Sequence, residues 1–163
     1  MNATTDFESG LYDDPAQAET RVRELHRLGY TDREISVMMR DRERARAFAE
    51  RAGGHASEGA VAGGVIGGGI GAIVAGLMAT GSIVAIAGTG GVAAPLVAGP
   101  LAAVLAGLGA GGTAGGVIGA LIGAGIPKER AEAYSAGLDR GAILIGVSPR
   151  PGDREAVRRI FAD

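Results

Sequence analysis

The sequence contains no cysteine and no tryptophan, and aromatic residues make up only 4% of it. Without cysteine the chain can form neither disulfides nor thiolate metal sites. Its two histidines, His26 and His55, lie far apart in the sequence, so a structural metal is not expected. The net charge of −2 gives no sign of the basic surface that nucleic-acid-binding proteins carry, so nucleic acid is not an expected partner.

Charge is missing altogether from a long central stretch. Residues 59–126 comprise 68 consecutive residues without a charged side chain, and 22 of them are glycine. This stretch divides the chain into residues 1–58, 59–126 and 127–163. Neither end is long enough to bury a sizeable core alone, so we expect the two ends to fold together around the inserted middle.

The two ends carry patterns of alternating strands and helices. Asp14 and Pro15 provide a helix start, and Gly29 and Gly141 provide helix ends. The predicted order is a strand at 6–12, a helix at 15–28, a half-buried strand at 34–40, a helix at 41–52, a helix at 127–140, a strand buried on both faces at 142–147 and a last helix capped by Asp153. This order predicts an α+β fold, a small split ferredoxin-like domain with three strands and flanking helices.

Glycines recur every fourth residue at both ends of the uncharged stretch. This spacing places them on one stripe of a helix, where a second backbone can approach closely. In water each such glycine weakens a helix by about 1 kcal/mol, so these helices need a compensating partner. The predicted helix-packing glycines are Gly59, Gly63, Gly67, Gly71, Gly107, Gly111, Gly115, Gly119 and Gly123.

A near-repeat within the stretch predicts an antiparallel helical hairpin. Residues 62–72 return at 114–124 with only two differences, so a chain that folds back would place the two copies side by side. The predicted arms are 60–87 and 101–126, joined by a turn rich in glycine and proline. Each arm exceeds the roughly 20 residues that cross a bilayer, so the hairpin is predicted to be transmembrane.

Flanking charges set the expected location. Arg51 precedes the hairpin, and Lys128 and Arg130 follow it, so the positive-inside rule places both termini in the cytoplasm and the hairpin in the inner membrane. The N-terminus lacks the pattern of a signal peptide, in agreement with that orientation. The arms contain no aromatic residue, however, which leaves open a soluble cytoplasmic assembly built from the same hairpins.

Catalytic patterns are lacking. The sequence contains no nucleophile elbow, no paired histidines at metal-ligand spacing and no carboxylate pair in an apolar setting, so neither an enzyme nor a cofactor is expected. His26 falls among solvated positions of its helix and is predicted to be exposed. Arg130 and Tyr134 are more simply explained by solvation and packing than by a pocket.

Several segments resemble the bacterial general stress, or heat-induced stress, protein family. They are Leu11-Tyr-Asp-Asp, Gln17-Ala-Glu, Leu25, Gly29-Tyr30, Glu34-Ile-Ser-Val37, the glycine repeats, Gly125-Ile-Pro127, Ala131, Tyr134 and Gly141 leading into Ile143-Leu-Ile-Gly-Val147. The resemblance covers nearly the whole chain and implies a stress-responsive bacterial protein with a membrane hairpin, without an established activity or cofactor. Glu8 and Ser9 depart from the more apolar opening strand that the family shows.

Three functional hypotheses follow. In the first, a non-enzymatic stress-response protein inserts its hairpin into the lipid bilayer, packs or oligomerises through the glycines and presents a cytoplasmic α/β domain. In the second, a soluble structural protein forms a large homo-oligomer, a shell or filament, through the same glycines. In the third, the α/β domain is a regulatory unit that binds a small ligand and is anchored by the hairpin.

Overall fold

The computed structural model describes residues 7–40, 84–85, 96–102 and 116–162. The described strands and helices follow one another along the chain. They are β1 (Glu8–Tyr12), α1 (Pro15–Arg27), β2 (Ile35–Met39), β3 (Val84–Ala85), β4 (Leu96–Ala98), α2 (Gly116–Gly123), α3 (Lys128–Asp139), β5 (Ile143–Val147) and α4 (Arg154–Ala162). The fold is α+β, as the sequence predicts.

One antiparallel sheet organises these elements, with the strand order β1-β5-β2-β4-β3. The predicted strands β1, β5 and β2 have five residues each, and β5 lies between the other two and antiparallel to both. β1 and β2 therefore run parallel to each other and are connected by α1. The central place of β5 agrees with its continuous apolar sequence, since all five of its residues are buried.

The helix boundaries follow the capping residues. The Asp14 carboxylate accepts a hydrogen bond from the Ala16 N–H at 2.9 Å and caps α1, with Pro15 at the first helical position. At the other end Gly29 has a φ of +87°, and the Tyr30 N–H donates back to the Leu25 carbonyl. Gly141 ends α3 in the same way, with a φ of +94°. The predicted helix starts and stops in these two regions are confirmed.

One face of the sheet packs against α1 and α4. Ala18, Val22 and Leu25 of α1 repeat at helical spacing and are fully buried there, together with Val157 of α4. The strands contribute alternate side chains to the same cluster: Tyr12, Ile35, Val37, Met39, Ile143, Ile145 and Val147. The two chain ends thus build this core jointly, as the split-domain prediction requires.

The opposite face packs against α2 and α3. Met38 and Leu144 point to this side and join Val117 and Leu121 of α2 and Leu138 of α3 in a second core cluster. All five residues of β2 are consequently buried, so the prediction of a half-buried β2 is wrong. The reason is that the uncharged stretch itself supplies the cover, through α2 and residues 96–102.

The uncharged stretch also extends the sheet. Val84 and Ala85 were predicted to be helical, in the arm 60–87, but they form β3 and pair with β4. β4, within the predicted turn, pairs with β2 through Val37↔Ala98, Met38↔Val97 and Met39↔Leu96. The helical prediction is therefore wrong at Val84 and Ala85, where main-chain pairing with the sheet replaces helix formation.

The arm predicted at 101–126 also differs in its described part. Residues 100–102 are helical, and α2 ends at Gly123 rather than at Ile126. Gly125 has a φ of +90°, and the Ile126 N–H returns to the Leu121 carbonyl, which terminates the helix. Within the described residues no helix has both the length and the apolar character needed to cross a bilayer. The predicted helix at 41–52, most of the arm 60–87 and half of the arm 101–126 lie outside the described residues.

Candidate packing surface on helix α2

Two of the predicted helix-packing glycines, Gly119 and Gly123, lie in the described part of the chain, and both belong to α2. Both are exposed. The other seven lie outside the described residues: Gly59, Gly63, Gly67, Gly71, Gly107, Gly111 and Gly115. The structure therefore locates the surface that the last two glycines of the second repeat form.

The inner side of α2 fixes the orientation of this surface. Val117, Leu121 and Ala124 are buried against the sheet and α3, at exposures of 2%, 0% and 4%. Their spacing of four and three residues defines one helical face. Because this face holds the helix on the domain, the glycines on the opposite side are directed away from it.

The outward side of α2 is open. A methyl group built on Gly119 meets no atom of the described residues within 4 Å, apart from the backbone of its own helix. Ile122, on the same side, is 43% exposed and is one of only two large apolar residues of the described chain that are classed as exposed. No acidic residue lies in the first turn of α2 and no basic residue in the last. The result is an uncharged helical face on which another backbone can come close.

Backbone contacts hold the uncharged stretch on the domain. Gly99 has a φ of +82°, and a Cβ at this position would lie 2.2 Å from the Ile35 carbonyl oxygen. The buried Ser36 hydroxyl accepts a hydrogen bond from the Leu101 N–H at 3.1 Å. Leu101 and Ile126, which bound the predicted second arm, both belong to the core cluster that includes Met38.

A polar cluster joins β1 to α3. The Tyr134 hydroxyl donates to the Ser9 carbonyl oxygen at 2.9 Å, and Arg130 donates to the same oxygen at 3.0 Å. The Ser9 hydroxyl donates to the Tyr134 oxygen at 3.2 Å. The Arg130 guanidinium also lies 5.4 Å from the centre of the Tyr134 ring. These contacts explain how the hydroxyl of the buried Ser9 is accommodated in β1.

A second polar cluster joins the two chain ends on the other side of the domain. Arg150 binds both carboxylate oxygens of Glu34, at 2.7 and 2.9 Å, and its guanidinium stacks 4.5 Å from the centre of the Tyr30 ring. The Tyr30 hydroxyl accepts from the Arg150 N–H and donates to Asp153. The sequence pattern assigns Asp153 to helix capping alone and does not reveal this network, because Tyr30 and Glu34 lie more than 110 positions from Arg150 and Asp153.

Electrostatics in this cluster favour the charged carboxylate and the neutral phenol. Hydrogen bonds from the Thr31 N–H and from Arg150 hold the pKa of Glu34 below its ordinary value of 4.5, despite an opposing effect of burial. Burial raises the pKa of Tyr30 above its ordinary value of 10.0. The arrangement fits a structural link between the two chain ends.

His26 is more buried than the sequence predicts. Its side chain is only 9% exposed, and its Nε2 lies 2.8 Å from a carboxylate oxygen of Asp32. The turn at Gly29 brings Asp32 back toward the end of α1, which the helical pattern by itself does not reveal. Across the described ranges, histidine, aspartate and glutamate form no group of three or more that could hold a metal ion.

The uncharged helical face therefore comes from the part of the chain that is most unusual in composition. A comparison of the chain with protein-family models, with curated proteins and with solved structures finds no match.

Proposed function

We propose that the protein is a non-enzymatic structural protein that binds copies of itself through the outward face of α2. The observation that carries this proposal is the open space beside Gly119, together with the exposure of Ile122 on the same helix. In this proposal the α/β domain is the folded support that holds the face outward. The resemblance to general stress proteins suggests that the assembly serves a bacterial stress response.

The chemistry of the face favours a second copy as the partner. The outward face of α2 consists of glycine and isoleucine and carries no charge. A partner helix can approach it closely only if its own contacting face is uncharged and made of small residues. A second α2 has those properties and can form a symmetric contact. Close contact would also offset the weak helix propensity of the glycines.

Membrane insertion is the second candidate, and the 68-residue length of the uncharged stretch favours it. In this candidate the α/β domain is ferredoxin-like and the uncharged stretch forms a transmembrane helical hairpin. The parallel pair β1 and β2 with β5 between them supports the ferredoxin-like part. The burial of Leu101 and Ile126 in one cluster favours the assembly instead, because the ends of a spanning arm would lie on opposite sides of a bilayer.

A substitution at Gly119 tests the assembly. Gly119→Leu adds a side chain at an exposed position where a Cβ meets no atom of the described residues within 4 Å, and this side chain fills the space that a second helix needs. We expect self-association, measured by sedimentation velocity in detergent-free buffer, to weaken at least about tenfold while the melting temperature does not fall. The control is Ala136→Leu, which enlarges an exposed position of α3.

The outcomes separate the two candidates. Equal association of Gly119→Leu, Ala136→Leu and the wild type would refute assembly through α2. Flotation of the wild type with liposomes in the absence of detergent, resistant to alkaline carbonate, would establish insertion. Recovery of a monodisperse assembly that stays out of the liposome fraction would exclude it.

A further inference from the structure

The free edge of β1 is a second place where copies of the chain could meet. Among the described residues, β1 is the terminal strand of the sheet and pairs on one side only, with β5. A strand in this position offers unpaired main-chain groups to any other extended chain, and natural proteins protect such edges with charged side chains. The hydrogen bonds that the main chain of β1 already makes therefore determine whether another strand can pair with it.

The carbonyl of Ser9, the second residue of this strand, already has two side-chain donors. The Tyr134 hydroxyl lies 2.9 Å from the oxygen and an Arg130 guanidinium nitrogen lies 3.0 Å from it. A carbonyl oxygen has two acceptor lone pairs, so these donors saturate it. An added strand could form a hydrogen bond with this carbonyl only by displacing them.

The donors are themselves held in place. Tyr134 is 9% exposed, and its oxygen accepts from the Ser9 hydroxyl and from Arg130, so its position is fixed from both sides. Arg130 lies over the Tyr134 ring, one helical turn away on α3. Displacement of Tyr134 would leave its buried hydroxyl without the Ser9 carbonyl as acceptor, which is unfavourable.

The opposite face of the sheet adds a further contact at the same end of β1. Arg158 of α4 donates to the Glu8 carboxylate at 2.8 Å. Arginines from both helical layers thus converge on the first two residues of the edge strand. Arg158 binds a side chain and leaves the main chain of β1 untouched, whereas Arg130 binds the main chain directly.

We infer that Arg130 and Tyr134 form an inhibitory contact that closes the β1 edge to β1 of a second copy. The contact directs self-association away from open-ended sheet extension and leaves α2 as the surface for it. The inference concerns a different surface from α2, and it holds whether or not α2 joins copies.

The test removes the two donors. Arg130→Ala combined with Tyr134→Phe, in the Gly119→Leu background, is expected to associate at least about tenfold more tightly than Gly119→Leu alone in sedimentation velocity. Hydrogen exchange should show that amides of residues 8–12 gain protection as concentration rises. The Gly119 substitution ensures that the gained contact does not run through α2.

A matched control and a milder variant complete the test. Arg158→Ala breaks the ion pair on the other face but leaves the Ser9 carbonyl saturated, so it should leave association unchanged. If the double variant does not fold, Arg130→Met alone removes the exposed donor and is expected to give a smaller change of the same sign. Unchanged association, or association without added protection at residues 8–12, would overturn the inference.

Discussion

The face of the sheet that carries α1 and α4 and the face that carries α2 and α3 bury similar apolar side chains but are completed by different contacts. Beside the first, Arg150, Glu34 and Tyr30 connect the two chain ends through side chains. On the second, Gly99 and Ser36 hold the uncharged stretch through its backbone. Charged ends can close a core by ion pairs, whereas a segment without charge depends on main-chain contacts.

The comparison is tested most strongly at Gly99. Gly99→Ala combines a left-handed φ with a Cβ that would lie 2.2 Å from the Ile35 carbonyl oxygen. We expect a loss of about 3 kcal/mol in the free energy of unfolding, measured by urea titration. Gly152→Ala is the control, since its φ is +96° with no atom within 4 Å, and it should lose only about 1 kcal/mol. Equal losses would show that close approach to Ile35 is unimportant.

The Ser36 hydroxyl offers the next largest effect. Ser36→Ala removes the acceptor of the Leu101 N–H inside the second core and leaves that buried donor without its partner. The expected loss is about 1–3 kcal/mol in the same titration. Ser148→Ala, at an exposed position after β5, should change stability by less than about 0.5 kcal/mol. A Ser36→Ala variant as stable as Ser148→Ala would mean that this hydrogen bond does not hold the stretch in place.

On the face that carries α1 and α4, the corresponding test measures the stability contributed by Glu34 as the pH is lowered. The pKa of Glu34 is lower in the folded protein than its ordinary value of 4.5, so folding is favoured above that value and the benefit is lost as pH falls through the folded pKa. The stability advantage of the wild type over Glu34→Gln should therefore be constant near neutral pH and shrink below about pH 4.5. Denaturant midpoints across this range measure it. An advantage independent of pH would exclude an ionic contribution from Glu34.

The smallest expected effect is a loss of stability at alkaline pH that involves Tyr12. Burial raises the pKa of Tyr12, against the opposing influence of Arg21, above its ordinary value of 10.0. The neutral phenol therefore contributes stability below that value, and this contribution is lost as pH rises through the higher folded pKa. As the pH is raised from neutral to above 10, the melting temperature of Tyr12→Phe should fall less than that of the wild type. An identical alkaline loss in both proteins would contradict burial as the cause.

Local chemistry accounts for the elements that were predicted correctly. Asp14 with Pro15, and Gly29 and Gly141, set the ends of α1 and α3 because caps and left-handed glycines act within a few residues. The apolar sequence of β5 likewise identifies a strand buried on both faces.

The failures have a common physical origin. Val84 and Ala85 read as part of a helical arm, but pairing with β4 gives their backbone an alternative set of hydrogen bonds that no local pattern reveals. His26 reads as solvated until the turn brings Asp32 to it. Glu8 and Ser9 fit poorly as sheet residues until Arg158 and Tyr134, from distant helices, bind them.

By itself the sequence determined an α+β domain split by a glycine-rich uncharged stretch, because capping, periodicity and charge are local properties. Only the tertiary structure decided that part of this stretch joins the sheet, that it covers the second face and that α2 keeps Gly119 outward. These outcomes depend on contacts between residues far apart in the chain.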